Sequence, residues 1–245
     1  MNSLIAAEFF KLRTTRTAWA LLGAIFAITA LSVAAAVAGV GSGKLDLESD
    51  EGIRAVLHVA GSGALFVLML GIIITAGEYR QRTAVDTFLT TPRRSRVLMA
   101  KLVASISAGV VFGSIATAVA IATAALAYHF KGLNLPLGTG LAWKILLGSV
   151  IYAALFGGLG ASIGSLIRNQ IVAIIGTIAV VIIAEPMVFV ISPAVGRWLP
   201  AALGRALVSD PGGNFLGQPA AGAMLILYVA VIMLAAAAIE RHRDA

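Results

Sequence analysis

Six stretches of almost unbroken apolar residues, 18–40, 55–76, 102–128, 145–167, 171–192 and 220–239, alternate with short polar connections. A helix needs roughly 20 apolar residues to cross about 30 Å of hydrocarbon, so each stretch is of spanning length or nearly so. Helices are the expected form because each satisfies its own backbone hydrogen bonds in lipid. The pattern predicts an all-α integral membrane protein with six transmembrane helices. "VAAAVAG" near the end of the first stretch resembles a small-residue cleavage site. The apolar run before it exceeds the 7–15 residues of a signal-peptide core, so it is read as a span that is kept. Ahead of it, Ile5, Phe9 and Leu12 share one helical face while Glu8, Lys11 and Thr15 share another. Residues 1–17 are therefore expected to form an interfacial amphipathic helix, and 18–245 a single six-span domain.

Composition agrees. Sixty per cent of the chain is hydrophobic and 12% charged, with a mean hydropathy of +0.98; soluble proteins average about 25% charged residues. The absence of cysteine rules out disulfides, thiolate metal sites and a cysteine nucleophile. A net charge of +7 reflects basic loops rather than a nucleic-acid partner. With the N-terminus inside, twelve basic residues fall on the cytoplasmic side and six on the other. That excess places both termini and the 78–101 connection in the cytoplasm, and the acidic "KLDLESDEG" connection outside. Trp19, Trp143 and Trp198 fall near predicted membrane boundaries, where aromatic belts form. Arginine outnumbers lysine thirteen to five, which points to a GC-rich bacterial genome and hence a bacterial plasma membrane.

Few residues suggest chemistry. "GVGSGKLD" resembles a P-loop but has Ala38 and Leu45 where that motif needs Gly and Ser or Thr, and it follows a span rather than a strand. No ATP site is recognisable, so any ATPase is expected to be another chain. His58, His129 and His242 are scattered and no HExxH is present, which argues against an intramembrane enzyme. Glu185 is the one acidic residue within a predicted span, and intramembrane carboxylates are costly and usually functional. It suits either transport and gating or, with Pro186 beside it, a kink near the outer boundary. An ion-coupled carrier using Glu185 is the alternative functional reading. Gly157, Gly160 and Gly164 give small-xxx-small spacing, suited to close helix packing or to a substrate path. Residues 193–219 form the last outer connection, with room for a short helix from Trp198 to Ser209.

The densest information lies in "AGEYRQRTAVDTFLTTPRRSRVLMAK", residues 76–101, which holds six of the eighteen lysines and arginines. Glu78 stands where the second span ends, followed by Arg80 and Arg82. Val85, Phe88 and Leu89 then fall at i, i+3 and i+4, the spacing of a short amphipathic helix. Thr91-Pro92 breaks it, because the residue before proline avoids the helical region. Arg94 and Arg96 follow, and Lys101 opens the third span. Such an element either transmits force from a cytoplasmic partner or lies on anionic lipid headgroups.

This stretch resembles the cytoplasmic loop of ABC-2-type permeases, the membrane subunits of ATP-driven exporters. The shared pattern is carried by Glu78, Thr83, Pro92, Ser95 with Arg96, and Lys101; Arg82 stands where that family often has glycine. The motif covers about a tenth of the chain, and the six-span layout extends the likeness to the whole. The resemblance implies a coupling helix docked on a separate ABC ATP-binding subunit, with Phe88 and Leu89 as anchors and the arginines as a polar rim. It also implies a second permease chain, identical or different, and re-entrant outer helices before the sixth span. No cofactor is expected in this chain; ATP and Mg belong to the partner. The apolar interior suits a hydrophobic or amphiphilic cargo such as a drug, antibiotic, peptide or lipid.

Overall fold

A computed structural model describes residues 2–40, 46–81, 94–167, 169–210 and 213–242. The helices are α1 (Asn2–Thr14), α2 (Arg16–Val40), α3 (Asp50–Leu57), α4 (Ala64–Gln81), α5 (Arg94–Phe130) and α6 (Gly140–Leu166). They continue as α7 (Gln170–Ala179), α8 (Glu185–Ile191), α9 (Pro193–Gly196), α10 (Pro200–Leu207) and α11 (Gln218–His242). A 3-10 segment, His58–Gly63, joins α3 to α4, and a π segment, Val180–Ala184, joins α7 to α8. No strand occurs among the described residues. Among the described residues, six helical runs are long and apolar enough to cross a membrane: Arg16–Gly39, Asp50–Gly77, Arg96–Phe130, Gly140–Leu166, Gln170–Ile191 and Gln218–Ile239.

The boundaries have local causes. Thr14 donates from its hydroxyl to the Phe10 carbonyl (2.9 Å), and Thr15 to that of Lys11, so side chains compete with the backbone and α1 stops before α2. Ser49 caps α3 by accepting from the Gly52 amide at 3.1 Å, which starts the second span at Asp50, five residues before the apolar run. The third span begins even earlier than its apolar core. Helix α5 starts at Arg94, so Arg94, Arg96 and Lys101 are helical residues rather than a loop leading to a helix at 102. In the fifth span Pro186 has no N–H to give, and its ring crowds the preceding turn. The ladder widens there, with the Glu185 amide bonded to the Val180 carbonyl, and the proline is absorbed as a π bulge.

Helix α6 is the axis of the bundle. It packs along α4 and α5 and, on a third side, against α11, while α2 lies on α5 and the 3-10 segment. Phe156, Leu68, Ile72 and Leu225 fill the central core. A second cluster, around Tyr128, Ile145, Leu146 and Ile53, fills the end of the bundle farthest from α1. At that far end the Tyr128 hydroxyl donates to the Leu47 carbonyl (2.8 Å), and Lys131 Nζ donates to the Val37 carbonyl (3.0 Å), tying the start of α3 and the end of α2 to α5.

Candidate coupling site and far-end cap

The α1 end gathers charge inside the fold. Glu8 and Lys101 are each about 95% buried and form an ion pair, Nζ to Oε1, of 3.2 Å. Lys11 reaches the same Oε1 at 3.1 Å, and Lys101 Nζ also donates to the Ile74 carbonyl at 3.4 Å. One carboxylate therefore joins α1 to α5, and one ammonium joins α5 to α4. On α1, Glu8 faces the protein, whereas Phe9 (39% exposed) and Phe10 (69% exposed) face outward. The faces do not divide cleanly into inside and outside: Leu12 of the apolar face packs against Ala18, Leu70 and Ala108, while Lys11 and Thr15 of the polar face are exposed. A buried pair is a poor source of net stability, yet stripping one member leaves a bare charge at a cost of about 3–5 kcal/mol. It fixes the relative position of its helices.

Helices α4 and α5 carry the ends of the 76–101 stretch. Glu78 and Arg80 belong to the last turns of α4, and Arg94 and Arg96 to the first turn of α5, with Arg96 exposed. Arg82, Thr83, Val85, Phe88, Leu89 and Pro92 lie outside the described residues. Lys101 sits about two turns inside α5, turned inward into the ion pair instead of outward. Its partner Glu8 is ninety-three residues away in sequence, a distance no local spacing rule reaches. Arg168, in the turn between α6 and α7, also lies outside the described residues. Its neighbour Asn169 caps α7 by accepting from the Ile171 and Val172 amides at 3.1 and 3.2 Å.

At the far end Glu185 has a defined task. Its side chain is 5% exposed, and its Oε2 accepts the Ala201 amide at 2.6 Å. Ala201 is in the first turn of α10, where backbone amides have no partner within the helix and a helix end carries partial positive charge. Glu185 therefore caps α10 from another segment of the chain. Helix α10 ends with Ser209 in the left-handed region (φ 53°). The Asp210 amide bonds back to the Arg205 carbonyl and the Ser209 amide to that of Ala206, which together make a Schellman motif. Arg205 pairs with Asp210 (2.6 Å) and lies over the Phe215 ring (4.7 Å to its centre), while Phe215 stacks on Phe189 of α8. Gln218 Nε2 donates to the Leu207 carbonyl (2.7 Å), attaching the start of α11. The short helix expected from Trp198 to Ser209 is α10, Pro200–Leu207, with Pro200 as its first residue; α9, Pro193–Gly196, precedes it. Arg205, Asp210, Phe215 and Gln218 carried no sequence signal beyond their place in a Gly- and Pro-rich connection.

Gly157, Gly160 and Gly164 lie on the buried face of α6. A Cβ on Gly157 would strike the Ser105 carbonyl of α5, and one on Gly160 the Leu68 backbone of α4. On Gly164 it would meet Thr75 and Ile72 of α4. Gly71 and Gly109 answer from the facing helices: a Cβ on Gly71 would meet the Gly157–Ala161 backbone, and one on Gly109 that of Ala153 and Ala154. Glycines on both sides of these contacts let the three backbones approach one another.

No group of three or more histidine and acidic side chains suited to a metal is present among the described residues. No curated protein matches the chain. A family model described as ABC-2 family transporter protein matches residues 4–185, from α1 through four spans and into the fifth, as far as the carboxylate that caps α10. With its six helical spans, this chain belongs to the ABC-2 transporter family, a family of membrane transport components.

Proposed function

We propose that the chain is the permease subunit of a bacterial ATP-driven exporter, moving a hydrophobic or amphiphilic cargo outward across the plasma membrane. Hydrolysis of ATP, with its Mg, takes place on a separate ABC subunit, and this chain is non-catalytic. Both termini and the connection between α4 and α5 face the cytoplasm, following the basic-residue excess. Phe88 and Leu89 anchor that connection in the ATPase, with Arg80, Arg82, Arg94 and Arg96 around them. The observation that carries this reading is the buried Glu8–Lys101 pair with the Lys101 bond to Ile74. It makes α1, α4 and α5 one mechanical block, so a force on the connection reaches both flanking spans instead of fraying one helix end. Residues 1–17 belong to that block and not only to the lipid surface. A second permease copy, identical or different, completes the path.

The test is Phe88→Ala with Leu89→Ala. Truncating a desolvated anchor commonly costs about 2 kcal/mol or more, which weakens association about thirtyfold. The variant should insert and purify as wild type, fail to retain its ATPase in a pull-down, and lose transport, while the isolated ATPase keeps its basal hydrolysis. Full ATPase recovery with undiminished transport would refute the coupling role and leave the connection as a topology signal.

A further inference from the structure

A groove of about 270 Å³ opens on the outer surface of the α1 end, between α1, α2 and α5. Phe9, Leu12, Trp19, Val111 and Phe112 line it, and its one charged wall is Arg13. Trp19 is 61% exposed and Val111 52% exposed, so the groove faces the lipid side of helices that span the membrane. The Trp19 indole N–H donates to the Arg13 carbonyl at 3.0 Å, which sets the indole and the guanidinium-bearing residue at one level. Tryptophan favours the headgroup level, with its polar edge wet and its body in hydrocarbon. Among the described residues no acidic side chain pairs with Arg13, and none lines the groove.

We propose that this groove holds one acyl chain of an anionic bilayer phospholipid, whose headgroup phosphate lies against Arg13. The chemistry matches at both ends: an apolar slot for the tail and an unpaired, permanently charged, forked donor for the phosphate. Basic pockets between spans take anionic headgroups for the same reason. The shape selects a lipid over a second protein. A helix is about 10–12 Å across with its side chains and does not enter a slot of this volume, whereas an extended tail does. A tail there would wedge α1 against α2 and α5 beside the Glu8–Lys101 pair. The inference rests on the chain crossing a membrane and is independent of ATP, of transport direction and of which end is cytoplasmic.

The experiment uses the full chain with Trp143→Phe and Trp198→Phe, leaving Trp19 as the only indole, reconstituted in phosphatidylcholine vesicles. Part of the lipid is replaced at one mole fraction by brominated phosphatidylglycerol or by brominated phosphatidylcholine, and quenching of Trp19 is compared. One arginine near the headgroups is worth a preference of about fivefold for the anionic lipid, reduced by added salt. Arg13→Gln should bring the preference close to one, Arg13→Lys should retain most of it, and Val111→Phe, which fills the slot, should lower quenching by both lipids. Arg13 is exposed, so these variants should fold, and the emission maximum with size-exclusion behaviour verifies it. Equal quenching by the two lipids in the parent overturns the proposal. So does a preference that survives Arg13→Gln, which would place the lipid elsewhere. Protection of Trp19 from both lipids also overturns it, and would assign the groove to a second copy, a partner or the transported cargo.

Discussion

The fourth and fifth spans are consecutive in the chain, and the more apolar of the two is the less buried. Gly140–Leu166 has a mean hydropathy of 1.8 with 72% of an 18-residue apolar stretch buried, whereas Gln170–Ile191 has 2.5 with 11%. In water this order would be reversed. In lipid, hydrocarbon tails are as apolar as leucine, so hydrophobicity gives a helix no reason to leave them for protein. Close backbone approach does, because it multiplies dispersion contacts that are individually small. The fourth span has glycine where α4 and α5 come nearest. Its serines satisfy themselves: Ser149, Ser162 and Ser165 donate to carbonyls one turn back at 2.8–3.0 Å, and Ser162 also bonds to Val229 of α11 at 3.2 Å. The fifth span presents Ile171, Val172, Ile175, Ile182 and Ile183 outward, bulky side chains that hold neighbours apart.

If small residues bury the fourth span, adding bulk should unseat it. Gly160→Val has nowhere to put its side chain, because the obstruction is the Leu68 backbone and not a flexible side-chain end. Overpacking a core commonly costs 1–3 kcal/mol; against rigid backbone we expect about 3 kcal/mol or more. The variant should give little monodisperse protein in detergent and unfold well below wild type. Ile175→Leu in the fifth span should leave the melting temperature of the solubilised chain unchanged, since Ile175 is 63% exposed. If both behave alike, the distinction between the two spans fails.

The next effect sharpens the comparison by asking how much burial depends on charge. Lys101→Met leaves the buried Glu8 with Lys11 at 3.1 Å, so the cost is about 3 kcal/mol, at the low end for a broken buried pair. Glu8→Gln combined with Lys101→Met removes both charges and should recover more than half of that loss. Thermal unfolding of the two singles and the double gives the coupling directly. A double variant no better than Lys101→Met would mean the pair carries no coupling and does not join α1 to α4 and α5.

These two regions also divide what the sequence could reveal. Six spans follow from hydropathy because a bilayer imposes a length, and the fold class was legible on that ground alone. The glycine spacing in the fourth span pointed to close packing or a substrate path; the structure puts backbone of α4 and α5 against it. The inward turn of Glu8 was not legible. It shares a helical face with the exposed Lys11, and its burial goes with Lys101, which periodicity cannot connect to it. The role of Glu185 was half legible: its cost in a membrane marked it out, while its partner is a backbone amide, which leaves no trace in residue identity. Boundaries shifted wherever a polar cap or a basic turn extended a helix beyond its apolar core, as at Ser49 and Arg94.

The fourth and fifth spans share a neighbour at the far end, since α10 packs against both α6 and α8. Glu185 is the polar link on the fifth-span side. Glu185→Leu removes the acceptor for the Ala201 amide and should cost about 1–2 kcal/mol, as loss of a helix cap does. Glu185→Gln keeps an acceptor oxygen and should lose less than half as much. Comparing transport by the two variants separates the roles. Activity in Glu185→Gln close to wild type, with loss in Glu185→Leu, fits a cap that positions α10. Loss in both, with stability intact in Glu185→Gln, would instead favour an ion-coupled role for the carboxyl group.

The smallest effect concerns how firmly that shared helix is ended. Ser209 holds the left-handed position of the Schellman turn after α10, where glycine is the usual occupant because a Cβ there meets the neighbouring carbonyl. Relief of that crowding favours Ser209→Gly by about 1 kcal/mol. Against it stand the lost contact of Gln218 Nε2 with the Ser209 hydroxyl, a 3.2 Å hydrogen bond, and the greater freedom of glycine in the unfolded chain. Gln218 keeps its stronger bond to the Leu207 carbonyl, so the hydroxyl contact is a secondary one. The net expectation is a gain of a few tenths of a kcal/mol, seen as a slightly higher melting temperature. A clear loss would mean that the hydroxyl holds the start of α11 to the end of α10, and that the far-end cap depends on Ser209 as well as on Glu185.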